Sequence, residues 1–377
     1  MTSADRHAAR YERRKRKREQ KRMEQKAPYD DYERICSTKT LYDAERESRK
    51  GVSWKASVQK YEMNLMRNLW TTRSMLLDGK DVRKGFIEFD LFERGKPRHI
   101  KSMHYFERVV QRDVCDNALV PVLTRSLVYD NGASLKNKGI HFAIMRCKRH
   151  LQRYYRKYGT NDGYILLMDF SAFFDRILHE PVYDIVNRSF DDARLKKLIL
   201  SFVDAFGSVS LGIGSQVSQI FAVSYPNRID HYIREVLHYG LAQRYMDDSY
   251  IMARTREELE TVLAAIRPMY EELGIVLNER KTMIIPLRRF MFLKVRYYLT
   301  PTGRVVMKPY KRSFTRMRRK LKKFKPMLDH GELTMEQIIQ SYNSWYGYNM
   351  HLDCHRSLRQ MDRLFIEMYG VNPHRRS

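Results

Sequence analysis

The sequence predicts an α+β chain in which long amphipathic helices accompany a small set of antiparallel strands. Three observations carry that expectation. Tyr164-Ile165-Leu166-Leu167-Met168 is a continuous apolar run of strand length, suited to a strand covered on both faces, and it ends in Asp169. Arg244-Tyr245-Met246-Asp247-Asp248-Ser249 lies between the apolar pairs Leu241-Ala242 and Tyr250-Ile251, the pattern of strand, tight turn, strand. Apolar residues at three- and four-residue spacing recur from Tyr29 to Asp78 and again past Gly303, which is the helical period.

Composition narrows the function. The chain has 377 residues, 43% of them hydrophobic, enough for two or three subdomains with a core. Lys and Arg number 71 against 44 Asp and Glu, a formal charge of +27. Such a surplus points to a polyanionic partner, of which nucleic acid is the usual one. Cys36, Cys115, Cys147 and Cys354 are scattered without a C-x-x-C pair, which argues against a zinc site and for a reducing compartment. No apolar run approaches 18 residues, so no membrane span is expected, and no apolar core follows the N-terminal charges as a secretory signal requires.

In chain order, residues 1–26 hold eleven Lys/Arg and four Asp/Glu, either a disordered arm or a solvated helix that folds on RNA. In the next stretch Leu41, Ala44, Val52 and Trp54, then Val58, Tyr61, Leu65, Leu69 and Trp70, mark helices. Residues 86–92 alternate as a strand, Gly95-Lys96-Pro97-Arg98 turns the chain, and His99-Ile100 resumes an extended path. That hairpin is either plainly exposed or able to close over phosphates. Helices are expected over Glu107–Leu123, Ile140–Tyr158, residues 216–238 with a kink or a break at Pro226, and residues 256–273. Phe290 to Leu299 reads as a strand. A helix follows with Phe314, Met317, Leu321 and Phe324 on one stripe and seven cations from Arg316 to Lys325 around it. Two more helices are expected near 334–346 and 355–369.

The acids suggest the chemistry. Adjacent carboxylates repel by about 4 kcal/mol at about 4 Å and an effective dielectric near 20. A surface turn relieves this by exposing both groups, whereas a functional turn uses it to hold a divalent cation. Asp169, at the end of a buried strand, is a costly choice for packing and a good one for a metal ligand. Side by side on one sheet, Asp169, Asp247 and Asp248 would bind two Mg²⁺ ions through hard oxygen ligands. Such a pair stabilises the attacking and leaving oxygens of an in-line phosphoryl displacement.

At these residues the sequence resembles the reverse transcriptases. Glu107-Arg108-Val109-Val110-Gln111 is similar to the fingers block, and Asp169-Phe170-Ser171-Ala172-Phe173-Phe174-Asp175 to the first palm motif. Gly212 to Gln219 is similar to the second, and Tyr245-Met246-Asp247-Asp248 to the third. Leu277-Asn278-Glu279-Arg280-Lys281-Thr282 resembles the fourth, and Phe292-Leu293-Lys294 the primer-grip region. The resemblance spans roughly residues 40–350.

It implies a right-hand polymerase with an antiparallel palm sheet and a helical thumb: a basic arm at 1–30, fingers at 31–160, an interleaved palm at 161–303, and thumb and C-terminus at 304–377. The implied activity is RNA-directed DNA synthesis with two Mg²⁺ ions and dNTPs, on a template RNA paired to a primer or cDNA. By position, Asp169, Asp247 and Asp248 are the catalytic metal-binding acids, with Phe170 beside them at the metal and substrate positions. Lys96 and Arg98 would meet the incoming triphosphate. Phe174 stands at the sugar gate, or is a core aromatic, and Lys281 lies near the leaving pyrophosphate, or is a surface lysine.

Ile213-Gly214-Ser215-Gln216-Val217-Ser218-Gln219 departs from the Gln-Gly-x-x-x-Ser-Pro of most relatives. Ile213 and Gln219 resemble the form found in diversity-generating retroelements, whose error-prone enzymes work with a small accessory protein. Antiphage defence enzymes and a catalytically silent RNA-binding relative are the alternatives. A cytoplasmic, bacterial or phage-encoded protein is implied, and the few residues after the last helix leave no room for an RNase H or HNH domain.

Overall fold

The computed structural model describes residues 2–93 and 96–374, excepting the side chains of Ser3, Ala4, Glu93, Lys96 and Arg98. The chain divides into two compact units, one of residues 1–129, 170–232 and 266–277, the other of residues 130–169, 233–265 and 278–377.

The first unit is mainly helical. Its N-terminal helix, Ser3–Lys26, starts at a capping box in which Thr2 and Asp5 bond each other's backbone N–H groups. Its described side chains other than Ala9 and Lys26 are exposed, and its end is tied down by Lys26, which pairs with Asp30 at 3.2 Å and Asp191 at 2.7 Å. A small core joins Ala44, Val58 and Tyr61 to Tyr105 and Val109. Of the apolar positions expected on the helices before residue 78, Leu41, Ala44, Val58, Tyr61 and Leu69 are buried, but Trp54 and Trp70 are exposed. The hairpin is formed by β1 (Phe86–Glu93) and β2 (Lys96–Met103), paired antiparallel from Phe86↔Met103 to Glu93↔Lys96. The expected helix from Glu107 runs Tyr105–Val114 and continues through a wider turn at Cys115–Leu119 to Val120–Leu123. The expected 216–238 helix is Gln216–Ser224, broken at Pro226 where the ring removes a backbone donor, and then resumes at Asn227–His231.

The second unit holds two sheets. One has strand order β4-β5-β3-β6: β3 is Tyr164–Asp169, β4 Ala242–Tyr245, β5 Asp248–Ala253 and β6 Met283–Pro286, all antiparallel. β3 lies inside the sheet, which explains its uninterrupted apolar sequence. The other has order β7-β8-β9: Arg289–Phe292, Val295–Leu299 and Val305–Pro309. The single strand expected over Phe290–Leu299 is thus a hairpin. Its loop is Leu293-Lys294, with φ of +48° and +61°. Both residues adopt the left-handed region that primed two-residue turns need, although neither is Gly, Asn or Asp. The Ile140–Tyr158 helix packs Ile144, Cys147, Leu151 and Tyr154 into the core that includes Tyr250, Phe292 and Tyr297. Past β9, helices Lys311–Asp329, Met335–Asn349 and His355–Tyr369 enclose a core of Met317, Leu321, Ile338, Tyr342, Met361 and Phe365. All four cysteines are free and buried. No helix among the described residues is long and apolar enough to cross a membrane.

Candidate active site

The acids come together because of strand register. β3 and β5 pair with Asp169 opposite Asp248, at the end of the ladder. β4 and β5 are joined by the two-residue loop Met246-Asp247, with Tyr245 opposite Asp248. Met246 has a φ of +55°, which a side chain adopts at a cost of order 1 kcal/mol and which a primed hairpin turn demands at its first position. That turn puts Asp247 and Asp248 in sequence at the tip, beside the end of β3. Asp169 is buried, and Asp247 and Asp248 are half-buried.

The electrostatics follow from that crowding. Burial, then the charges of Asp247 and Asp169, push the Asp248 carboxyl up to about 7, against a smaller opposing pull from Lys281. Lys281 brings positive charge to this crowded sheet end: its Nζ donates to both oxygens of Asp169, at 2.7 and 2.8 Å. Asn278 Nδ2 donates to Asp169 Oδ2 at 3.2 Å, and the Asn278 N–H donates to the Asp169 carbonyl at 2.8 Å. Lys281, expected near a leaving pyrophosphate, therefore sits on the first acid itself. Asn278, three residues before it, escaped the sequence reading; its only signal was membership in the Leu277–Thr282 block.

A second group missed in the sequence braces the turn from behind. Asp130 is fully buried and accepts from Arg146 and Arg234, with His150 Nε2 3.6 Å away. Burial alone would raise its carboxyl, but the nearby His150 and the bonds from Arg146 and Arg234 hold it well below the usual carboxylate range. The Asp130 carbonyl accepts from the Arg244 N–H at 3.3 Å, and the Arg244 carbonyl accepts from the Gly132 N–H at 3.0 Å. Residues 130–132 thereby hold β4 three residues before Asp247. Tyr250 on β5 donates to Gln243 Oε1 at 2.8 Å and lies 2.9 Å from His150 Nδ1. Nothing in the sequence distinguishes Asp130 from any turn aspartate preceding Asn-Gly.

The remaining expected site residues belong to the first unit. Phe170 is buried, its ring 5.2 Å from that of Phe173 and 5.0 Å from that of Tyr270, so its side chain is committed to packing, and its backbone bridges to that of Leu277. Phe174 is half-buried, its ring edge-on to that of Phe173 at 5.8 Å between centroids. Ile213 is half-buried in a loop between Gly212 and Gly214, and Gln219 is exposed on the Gln216–Ser224 helix. Gly214 has a φ of +127°, and a Cβ there would lie 3.0 Å from the Lys101 carbonyl of β2, so the loop needs its glycine. Ser215 caps the helix and donates to Gln111 Oε1 at 2.9 Å; Gln111 in turn donates to Glu107 at 3.0 Å. The expected fingers block and second palm motif are thus hydrogen-bonded to each other. The side chains of Lys96 and Arg98 lie outside the described residues.

In the second unit a groove of about 410 Å³ is lined by Arg289, Arg296, Lys311 and Arg312 with Phe290, Met291 and Tyr310. The exposed cations Arg316, Arg318, Arg319, Lys320, Lys322, Lys323 and Lys325 continue along the Lys311–Asp329 helix.

Among the described residues, no three His, Cys, Asp or Glu side chains form a ready-made metal cage. The donor chemistry still fits a hard divalent cation: the sheet end brings three carboxylates together, and burial with the charges of Asp247 and Asp169 raises the Asp248 carboxyl. The sequence profile of the reverse transcriptase (RNA-dependent DNA polymerase) family matches residues 93–297, which contain every acid of the site. The chain belongs to the reverse transcriptase family. Domains of this family generally work with divalent metal ions. No curated protein sequence matches the chain significantly. Solved telomerase structures resemble it at low identity. Apo telomerase from Candida tropicalis truncated from its C-terminal domain has 15% identity over 59% of this chain and 55% of that one, with a TM-score of 0.45. Telomerase from Candida albicans in complex with a TWJ fragment of telomeric RNA has 11% identity over 84% and 66%, with a TM-score of 0.47. Apo telomerase from Candida tropicalis has 15% identity over 68% and 53%, with a TM-score of 0.44. This chain therefore spans between about half and two thirds of the length of those telomerase chains.

Proposed function

We propose that the chain is an RNA-directed DNA polymerase that extends a primer or cDNA on a template RNA with dNTPs, using Asp169, Asp247 and Asp248 as the acids that hold two Mg²⁺ ions. The observation that carries this reading is the register that sets Asp169 opposite Asp248 at one sheet end, with Asp247 next in the turn. When bound, the ions would supply the charge that stabilises the attacking and leaving oxygens of an in-line phosphoryl displacement. The chain's own residues do the rest. Lys281 holds Asp169 before the ions arrive and is then free to face the phosphates. Phe174 restricts the sugar position, and Lys96 and Arg98 on β2 meet the triphosphate. The basic groove at Arg289–Arg312 and the Lys311–Asp329 helix follow the backbone of the template–primer. In this reading residues 31–160 are fingers, 161–303 palm and 304–377 thumb.

Asp247→Asn tests the assignment. It removes one carboxylate charge from the turn and leaves every basic surface intact. Extension of an oligo(dT) primer on poly(A) should be lost, while affinity for the template–primer stays within about twofold. Near-normal extension would overturn the metal role of the turn.

The finer reading is an error-prone enzyme of a diversity-generating retroelement, acting with a small accessory protein. It rests on Ile213 and Gln219. An isoleucine offers no hydrogen bond where relatives have a glutamine amide. A net hydrogen bond contributes about 0.5–1.5 kcal/mol, and about 1.4 kcal/mol is tenfold in rate, so base selection should be loose. Ile213→Gln should lower the error frequency in sequenced cDNA by up to about tenfold. An accurate parent enzyme would instead favour antiphage defence.

A further inference from the structure

Exposed tryptophan is costly to leave in water unless something covers it, and two of this chain's three tryptophans are more than half exposed: Trp54 at 72% and Trp70 at 57%. Neither belongs to the core that the helical spacing suggested. The Leu65–Leu77 helix shows how Trp70 is presented. Leu69, Thr72 and Leu76 form its buried face. Met66, Trp70, Arg73 and Leu77 recur at intervals of four, three and four residues, a separate stripe along the same helix. Met66 and Leu77 are 58% and 41% exposed. The chain thus gives this helix two apolar faces and buries only one of them.

The charges around the second face indicate what covers it. Arg73 Cζ lies 5.5 Å from the centre of the Trp70 ring, and Lys55 Nζ lies 5.6 Å from that of Trp54. From Arg49 to Lys80 there are seven Lys/Arg and two acids, Glu62 and Asp78. Those acids are engaged by Arg49 and Lys80. Lys55, Lys60, Arg67 and Arg73 have no carboxylate partner among the described residues. An apolar protein partner would gain nothing from four unpaired cations. A single strand of RNA needs both features: aromatic rings on which unstacked bases lie, and cations for the phosphates between them. A duplex needs only the cations, because its bases are already stacked.

We propose that the Met66–Leu77 stripe, centred on Trp70 and Arg73 with Trp54 and Lys55 as a second point, is a stacking platform for single-stranded RNA. It rests on the reverse transcriptase reading only for the choice of RNA over DNA. The platform is sequence-tolerant, since every base offers a π face, and it serves to hold unpaired RNA rather than to select it.

The test is binding of the full chain to a 12-nucleotide oligo(U) and to a blunt 12-base-pair RNA duplex, followed by anisotropy and by tryptophan emission, without divalent metal or dNTPs. Oligo(U) should quench emission. Trp70→Ala should weaken oligo(U) binding about tenfold and reduce the quenching, with duplex affinity unchanged within twofold. Trp70→Phe should recover most of the loss, because a ring remains. Both positions are exposed, so thermal melts of the variants should match the parent. Undiminished oligo(U) binding by Trp70→Ala and Trp54→Ala would overturn the proposal and assign the stripe to a protein partner. An equal loss on the duplex would overturn it too, leaving only a charged surface. No step requires polymerisation, so an inactive enzyme would count against the proposed function without touching this result.

Discussion

Removing the ammonium from Lys281 isolates what the first acid costs the protein when no metal is present. In Lys281→Ala, Asp169 loses two charge-assisted hydrogen bonds of 2.7 and 2.8 Å. Bonds of this kind contribute roughly 1.5–3 kcal/mol when shielded. Lys281 is 54% exposed while the Asp169 side chain is 11% exposed, so solvent screening reduces the pair to about 1 kcal/mol. The same substitution removes the cation that opposes the rise of Asp248. Without divalent ions, Lys281→Ala should therefore be less stable by about 1 kcal/mol in a denaturant titration. With saturating Mn²⁺ the gap should close, since the ion no longer displaces an ammonium from Asp169. By linkage the variant should bind Mn²⁺ about fivefold more tightly, read by the loss of the free-ion signal in electron paramagnetic resonance. Its extension rate should nonetheless fall if, as proposed above, Lys281 turns to the phosphates once the ions are bound. Weaker Mn²⁺ binding by the variant would refute the reasoning: Lys281 would then be orienting Asp169 for the metal rather than occupying it.

Two further outcomes follow from other parts of the chain. Burial lifts the Asp113 carboxyl to about 8 from an ordinary 3.8, so the folded state keeps a proton that the unfolded state releases. Stability from this group is complete below about pH 4 and declines as pH rises to about 8; Asp113→Asn should gain about 4 kcal/mol on the parent between pH 4.5 and 8, measured by urea midpoints. On the Lys311–Asp329 helix, Arg318→Glu with Arg319→Glu should weaken template–primer binding and reduce the slope of log K against log salt by about 1.4–1.8; an unchanged slope would make this face merely solvated.

What the sequence disclosed was what depends on local period and local turn chemistry. β3 was readable because a strand covered on both faces must be apolar throughout, and the acid hairpin because apolar runs flank a pair that cannot be packed. The break at Pro226 was readable from a missing backbone donor. The Leu293-Lys294 turn was not, because two ordinary residues take left-handed conformations there that neighbouring contacts impose: Tyr348 donates to the Leu293 carbonyl at 2.7 Å, and the Tyr310 N–H donates to that of Lys294 at 3.1 Å. Long-range polar partners were equally hidden. Asp130 meets Arg146 and Arg234 across 16 and 104 residues, and Lys281 meets Asp169 across 112. Apolar spacing misled at Trp54, which lies in a turn before the Ala56–Glu62 helix, and at Trp70, which lies on the exposed side of the Leu65–Leu77 helix.

The buried thiols give the protein an internal clock. Cys36 and Cys354 are pushed by burial up to about 11, and Cys115 and Cys147 higher still, so thiolate forms only after the surrounding structure opens. Two of them, Cys36 and Cys115, lie in one compact unit, and Cys147 and Cys354 in the other. The order in which these four sulfurs become reactive toward an alkylating reagent therefore records which unit yields first, and whether the acid-bearing sheet outlasts the opening of the other unit.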